Sequence, residues 1–330
     1  MIPGKVVGIS IQGERSFEIV GLRNEHQPME RDTSFDLGSV TKILATTSII
    51  MKMLSAKEIR LDTKVSEILP EWSRSDKRET SIADLLEHQS GLNEWKPLYI
   101  SHTSRESAFT DIAENPLKYL PRSGRHYSDL GFITLGRVIE NVKKSTLDLI
   151  FNEEIARPLN LTKTQFASPK NRENVAVTSL GDRIEKEMVE TQKPYPVNVL
   201  SSDFSRWRTH RLEGEVNDGN AFHLFSGISG HAGLFSTVDD LLTYGEALLG
   251  ANDFFDTAVV NEFITPQRDA MQGYGFRNWN SGKYVGHTGF PGIALAIDFK
   301  ASRVVALMAN RLVVEGTPTP TDQLLGEYLA

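Results

Sequence analysis

β-Branched, strand-type runs near both ends of the chain, with helical segments broken by loops between them, predict an α/β (α+β) fold. Its sheet is antiparallel, built from N- and C-terminal strands and flanked by helices, with an inserted mostly helical region. Lys5–Gln12 and Ser16–Leu22 are the opening pair, joined at Gly13-Glu14 as a hairpin. Tyr284–His287, Ile293–Phe299 and Arg303–Asn310 are the closing set, and Thr321–Leu329 ends the chain as a short helix. The same pattern divides the sequence into a sheet domain, residues 1–50 with 232–330, and a mostly helical domain, residues 51–231.

Between the strands the elements follow from local signals. Arg23–Ser34 is polar and irregular, and delivers the chain to Phe35-Asp36-Leu37-Gly38-Ser39-Val40-Thr41-Lys42-Ile43-Leu44. The apolar run Ala45–Leu54 that follows is long enough for a helix buried on most sides. If the helix opens at Gly38 or Ser39, Ser39 sits on its first turn and Lys42, three residues on, lies on the same face. An amine is thereby set beside a hydroxyl. Serine is a poor nucleophile without a base, and lysine serves as one only where desolvation or neighbouring cations lower its pKa. Taken alone, Ser-x-x-Lys is equally an N-cap serine followed by a solvated lysine.

Further along, Arg60–Pro70 has short apolar spacing and a proline stop, and Thr80–Leu92 reads as a capped helix closed by Gly91. Leu130–Val142 and Thr237–Leu249 are the clearest helices, the second capped by Ser236 or Thr237. Up to about Gly230 no strand pairs are predicted, and the polar stretch Ser168–Gly219 reads as a long surface excursion with short helices.

Composition narrows the function. With 330 residues, 39% hydrophobic and 24% charged, the chain is an ordinary globular sequence large enough for a sizeable core. A net charge of -7 and the lack of a basic cluster exclude a nucleic-acid surface. The absence of cysteine excludes disulfides, thiol nucleophiles and cysteine metal sites. The eight histidines have no metal-ligand spacing, so no catalytic metal and no cofactor are predicted. No apolar run reaches membrane-span length and Met1-Ile2-Pro3-Gly4-Lys5 is no leader, so the default compartment is cytoplasmic; a removed signal peptide would leave the same text. The oligomeric state is not legible.

Three separated segments carry chemistry together: Ser39-Val40-Thr41-Lys42, then Tyr127-Ser128-Asp129 just before a helix, then His287-Thr288-Gly289 at a strand end. With these, the sequence resembles the serine penicillin-recognising enzymes: class C β-lactamases, D-alanyl-D-alanine carboxypeptidases and family VIII esterases. That family carries Ser-x-x-Lys, Tyr-x-Asn, and Lys-Thr-Gly or His-Thr-Gly in this order. Leu61-Asp62, Leu69-Pro70-Glu71, Ile82–Leu92, Leu135-Gly136 and Ala232–Thr237 also look like family segments, extending the resemblance from about Ser34 to Asn310. It implies a β-lactamase/transpeptidase-like fold. It also implies Ser39 as acylating nucleophile, with Lys42 and Tyr127 sharing the base and acid roles, Lys42 lowering the tyrosine pKa. The backbone amides of Ser39 and Phe290 would form the oxyanion hole, and Thr288 and Gly289 would lie along the strand that substrate pairs with as an added edge.

Two residues depart from the family pattern. His287 replaces the usual lysine, and a mostly neutral histidine holds a substrate carboxylate less firmly, which tilts the reading toward esters or small amides. Asp129 replaces asparagine. It would raise the Lys42 pKa and shift work to Tyr127, accept from a substrate amine, or merely cap the helix at Leu130. The glycine-bearing segments Gly214–Ala221 and Ser229–Gly233 read either as cleft lining, with a site role for His231, or as ordinary turns. The resulting expectation is a serine acyl hydrolase acting on a small-molecule or peptide-like acyl substrate: esterase, D-Ala carboxypeptidase or weak β-lactamase. The alternative is a catalytically lapsed relative that binds cell-wall peptides or a protein partner. An α/β-hydrolase is disfavoured, because the chain has no Gly-x-Ser-x-Gly.

Overall fold

A computed structural model describes residues 3–74, 76–169, 173–314 and 316–329. Met1 and Ile2, on which part of the leader reading falls, lie outside the described residues, as do the extreme ends of the sheet-domain range and residues 170–172 of the polar stretch. The strands are β1 Gly4–Ile11, β2 Glu14–Gly21, β3 Phe35–Asp36, β4 Gln165–Phe166, β5 Val177–Leu180, β6 Arg211–Glu213, β7 Leu234–Ser236, β8 Arg277–Trp279, β9 Tyr284–Gly289, β10 Ile293–Asp298 and β11 Arg303–Ala309.

The main sheet runs β2-β1-β11-β10-β9-β8 and is antiparallel throughout, so its strands do come from both termini. The opening hairpin pairs Ile11 with Glu14. Its turn is therefore Gln12-Gly13, one residue before the predicted position, and both residues have the positive φ that a tight two-residue hairpin demands. Side chains alternate between two buried faces. Val304, Ala306 and Met308 of β11 enter the large core, while Val305, Leu307 and Ala309 enter a smaller cluster closed by Leu324 and Leu325 of the C-terminal helix Thr321–Gly326. On the large-core side the helix Val238–Leu248 lies across β1 and β11. It approaches so closely that a Cβ on Gly245 would come within 2.5 Å of Val304.

The expectation of no strand pairs before Gly230 is corrected. β4 joins β3 and β7 in a three-stranded sheet, and β5 pairs with β6. The polar stretch is likewise not a bare excursion. It contains β5, β6 and the helix Arg183–Thr191, with Val175, Val177, Val189, Phe204, Leu212 and Val216 buried. These strands have two to four residues each, too few for a periodicity to show in sequence.

The apolar segment after Ser39 is helical but not uniform. A 3₁₀ turn Gly38–Val40 leads into a π-wound stretch Lys42–Thr47 and then an α-helix Ser48–Ser55. The Ile43 carbonyl accepts from the hydroxyls of Ser48 and Tyr244, each at 2.9 Å, extra donors that support the wider winding. Ile43, Leu44, Ala45, Ile49, Ile50 and Met53 are all fully buried, each large side chain contributing about 1.5–3 kcal/mol of transfer free energy. That packing fixes the segment from which Lys42 projects.

Candidate active site

Ser39 is half-buried at the turn, and Lys42 beneath it has no exposed surface. Lys42 Nζ donates to Ser39 Oγ at 2.8 Å and to the His231 carbonyl at 3.1 Å, and lies 2.7 Å from Asp129 Oδ1. Three acceptors around three ammonium protons describe a satisfied cation. Burial opposes that charge, yet Asp129 and Tyr127 outweigh burial and hold the Lys42 pKa above its ordinary value.

Tyr127 closes the group. Its hydroxyl interacts with both Lys42 and Ser39, and Lys42 Nζ lies 5.1 Å from its ring centre. The sequence reading has Lys42 lowering the tyrosine pKa. The net direction is the reverse: burial raises it, the lysine charge pulls it down, and Asp129 pushes it up again. Asp129 is not the helix cap. Ser128 caps Asp129–Lys143, its hydroxyl accepting from the Gly131 amide at 3.1 Å, which leaves the Asp129 carboxylate for Lys42. Because Asp129 raises both pKa values, Asp129→Asn is expected to move the rising limb of the pH–rate profile to lower pH and to increase kcat/KM several-fold at pH 7. An unmoved limb, measured from pH 5 to 10, would show that Asp129 does not set the basicity of the site.

His287 lies within β9, its ring 5.9 Å from Tyr127 and its Nδ1 2.7 Å from the Thr288 carbonyl. Burial and then the charge of Lys42 push its pKa down to about 3, so the imidazole is neutral across the physiological range. The unfolded chain takes up a proton near pH 6.5 that the folded site refuses, so this group costs stability as pH falls from 6.5 toward 3, by up to about 1.4 kcal/mol per pH unit. His287→Asn should therefore gain stability relative to the parent as pH drops below 6.5. Urea midpoints at pH 7.5 and 5 check this, and a constant difference would refute it.

β8 pairs with Tyr284, Val285 and Gly286 and stops there, leaving His287, Thr288 and Gly289 beyond the end of that pairing. The turn after β9 meets the Ser39 turn: Gly38 has φ +49, and a Cβ there would sit 2.5 Å from the Pro291 ring and 3.3 Å from Phe290 N. A glycine is required for the two backbones to come this close. Asp36, buried behind them, accepts from the Gly38 amide at 2.9 Å and the Asn217 amide at 2.6 Å, tying the serine turn to the opposite wall.

His231 enters through its backbone. Its ring is held by Ser229 Oγ and Asp218 Oδ1, both at 2.9 Å, which fixes the carbonyl on Lys42. A cavity of about 240 Å³ opens over Ser39, lined by Gly38, Tyr127, Asp129 and Phe290, and also by Trp95, Glu185, Met188, Pro194, Tyr195, Asn217, Asp218, Ala232 and Pro291. Among the predicted residues, Lys42, His231, His287, Thr288 and Gly289 are not part of this lining. Asn217 and Asp218 belong to the glycine-bearing segment singled out in sequence, whereas Trp95, Glu185, Met188 and Tyr195 carried no signal. Their segments have no motif: Glu185 and Met188 come from the helix Arg183–Thr191, while Trp95 and Tyr195 come from separate loops, and only the fold brings them to one cavity. Burial and Asp218 push the Glu185 carboxyl up, and burial pushes the Tyr195 hydroxyl up to about 12. Among the described residues no group of three or more His, Asp or Glu side chains could hold a metal ion, and no helix is long and apolar enough to cross a membrane.

A family model described as Beta-lactamase matches residues 1–329. N-acetylmuramyl-L-alanine amidase of Bacillus subtilis (strain 168) is 27% identical over 340 residues, covering 93% of this chain and 75% of its own length. A protein of Escherichia coli (strain K12) provisionally named D-alanyl-D-alanine carboxypeptidase is 28% identical over 323 residues, covering 86% and 71%. Among solved structures, a class C beta lactamase from Rhodobacter sphaeroides superposes with a TM-score of 0.72 at 19% identity over 100% of this chain and 95% of its own. EstCE1, a hydrolase with promiscuous acyltransferase activity, superposes with a TM-score of 0.70 at 23% identity over 94% and 89%. At these identities the superpositions establish the fold.

Proposed function

The chain belongs to the beta-lactamase family of hydrolases, and from that premise we propose that it is a serine acyl hydrolase working through an acyl-enzyme on Ser39, with an ester or small amide as substrate. The convergence of Ser39 Oγ and Lys42 Nζ at 2.8 Å under a cavity that Tyr127 also lines carries this reading. Ser39 Oγ attacks the acyl carbon as its proton passes to the tyrosinate form of Tyr127, whose charge is balanced by the Lys42 ammonium that also donates to the serine oxygen. The proton is then returned to the departing alcohol or amine. Water repeats the sequence and releases the acid. The backbone amides of Ser39 and Phe290 stabilise the oxyanion, each worth about a hundredfold or more in rate. The division into a sheet domain and an inserted helical domain, with the cavity between them, belongs to the same proposal.

Electrostatics favours an uncharged acyl group. The lining carries the carboxylates of Asp129 and Asp218, a Glu185 carboxyl that burial and Asp218 push up to about 8, and no lysine or arginine among its described residues. Lys42 is already surrounded by acceptors, and His287 is neutral. A substrate carboxylate would lose hydration there without gaining a free cation. Short-chain esters are accordingly expected to be turned over with kcat/KM at least about a hundredfold above D-Ala-D-Ala peptides and cephalosporins, a gap of about 3 kcal/mol. Parallel assays check this, and preference for the carboxylate-bearing substrates would reverse it. The raised pKa of both Lys42 and Tyr127 favours one second reading, ligand binding without turnover. It requires measurable binding in the absence of any covalent adduct.

A further inference from the structure

The segment Leu85–Leu92, part of the family resemblance, runs against the loop that carries Tyr127. His88 in this segment is 1% exposed and sits at φ +57, a left-handed conformation uncommon for a residue other than glycine. Its carbonyl accepts the His126 amide at 2.9 Å, and its Nδ1 accepts the Ser128 amide at 3.0 Å. The residues on either side of Tyr127 thus both hang from one histidine. The ring of that histidine also packs on the tyrosine ring at 4.5 Å and on Phe132 at 5.2 Å. Because Nδ1 accepts, the ring proton resides on Nε2, and the imidazole is in its neutral tautomer.

The neighbours of His88 extend the same bracket. The Gln89 carbonyl accepts the Arg122 amide at 2.8 Å, and Asp84 holds the Arg122 guanidinium through two bonds of 2.9 Å each. Arg268 reaches the same carboxylate at 2.7 Å. The loop that presents Tyr127 is therefore fastened along its length, with His88 at the end next to the phenol. A phenol that must reach both Ser39 and Lys42 tolerates little displacement, since about 1 Å of error in a reacting group costs about a hundredfold in rate.

We infer that His88 is the positioning residue of Tyr127: its carbonyl and Nδ1 grip the backbone on both sides of the tyrosine, and its ring sets the angle at which the phenol meets Ser39. This rests on the acyl-transfer reading above. Its distinguishing consequence is that His88 acts only through Tyr127.

The test measures single-turnover acylation and KM with an activated ester in the full chain. His88→Leu should lower the acylation rate about a hundredfold while KM changes less than about threefold. His88→Asn should recover most of the rate, because its side-chain oxygen replaces Nδ1 as acceptor and asparagine tolerates the left-handed backbone. In a Tyr127→Phe background, His88→Leu should cost less than about threefold further. Thermal midpoints accompany each variant, and His88→Asn serves as the test should His88→Leu not fold. A Tyr127→Phe variant, reduced but measurable, in which His88→Leu costs its full factor again, or an Asn variant no better than Leu, overturns the inference alone. Full activity of Tyr127→Phe overturns the functional reading and the inference with it.

Discussion

Ser39→Ala is expected to reduce ester turnover by about 10⁴-fold or more and to abolish the acylation burst, while leaving the melting temperature within a few degrees of the parent. The activity loss follows from removing the nucleophilic oxygen that Lys42 addresses at 2.8 Å beneath the cavity. The retained stability follows from the position of Ser39, half-buried at the cavity floor, and from the two acceptors that Lys42 keeps, the His231 carbonyl and Asp129. Losing one hydrogen bond of this kind costs about 1 kcal/mol. Burst kinetics and a thermal scan on the same preparation check both halves. A variant that still turns over the ester at the parental rate would place the chemistry elsewhere.

Lys42→Met is the second large effect. Methionine fills much of the same volume but leaves the Asp129 carboxylate, only 17% exposed, beside an apolar side chain. Removing one partner of a buried ion pair costs about 3–5 kcal/mol, and the partial exposure of Asp129 places this case at the lower end. Acylation should fall about 10³-fold, since the charge that counters a developing tyrosinate and the proton donor to Ser39 Oγ disappear together. Adding Asp129→Asn to Lys42→Met should recover much of the lost stability and none of the activity. Denaturant melts and acylation rates on the pair of variants separate the two consequences. Recovery of activity in the double variant would mean that the lysine only neutralises Asp129.

The sheet was legible because its strands are long, β-branched and placed at the ends of the sequence, and burial on both faces makes β10 and β11 near-continuous apolar runs too short for a buried helix. The neighbourhood of Ser39 and Lys42 was legible from spacing alone, because three residues bring two side chains onto one helical face even when the segment passes from 3₁₀ to π winding. Tyr127 was reached only through the family resemblance. No local signal says that a loop some ninety residues later folds over the serine, and the bracket at His88 that holds it there is a long-range arrangement. The cavity wall was not legible where it depends on Trp95, Glu185, Met188 and Tyr195, ordinary residues brought together by packing. The direction of the Tyr127 shift was missed for a physical reason. Sequence shows the lysine charge but not the degree of burial, and here burial and Asp129 together outweigh the lysine.

The account depends on Ser39 being the atom that becomes acylated, and intact mass followed by peptide mapping after exposure to a fluorophosphonate addresses it most directly. One adduct per chain, carried by the peptide that contains Ser39 and lost in Ser39→Ala, is the predicted result. An adduct on any other peptide, or none on a folded protein, would contradict it.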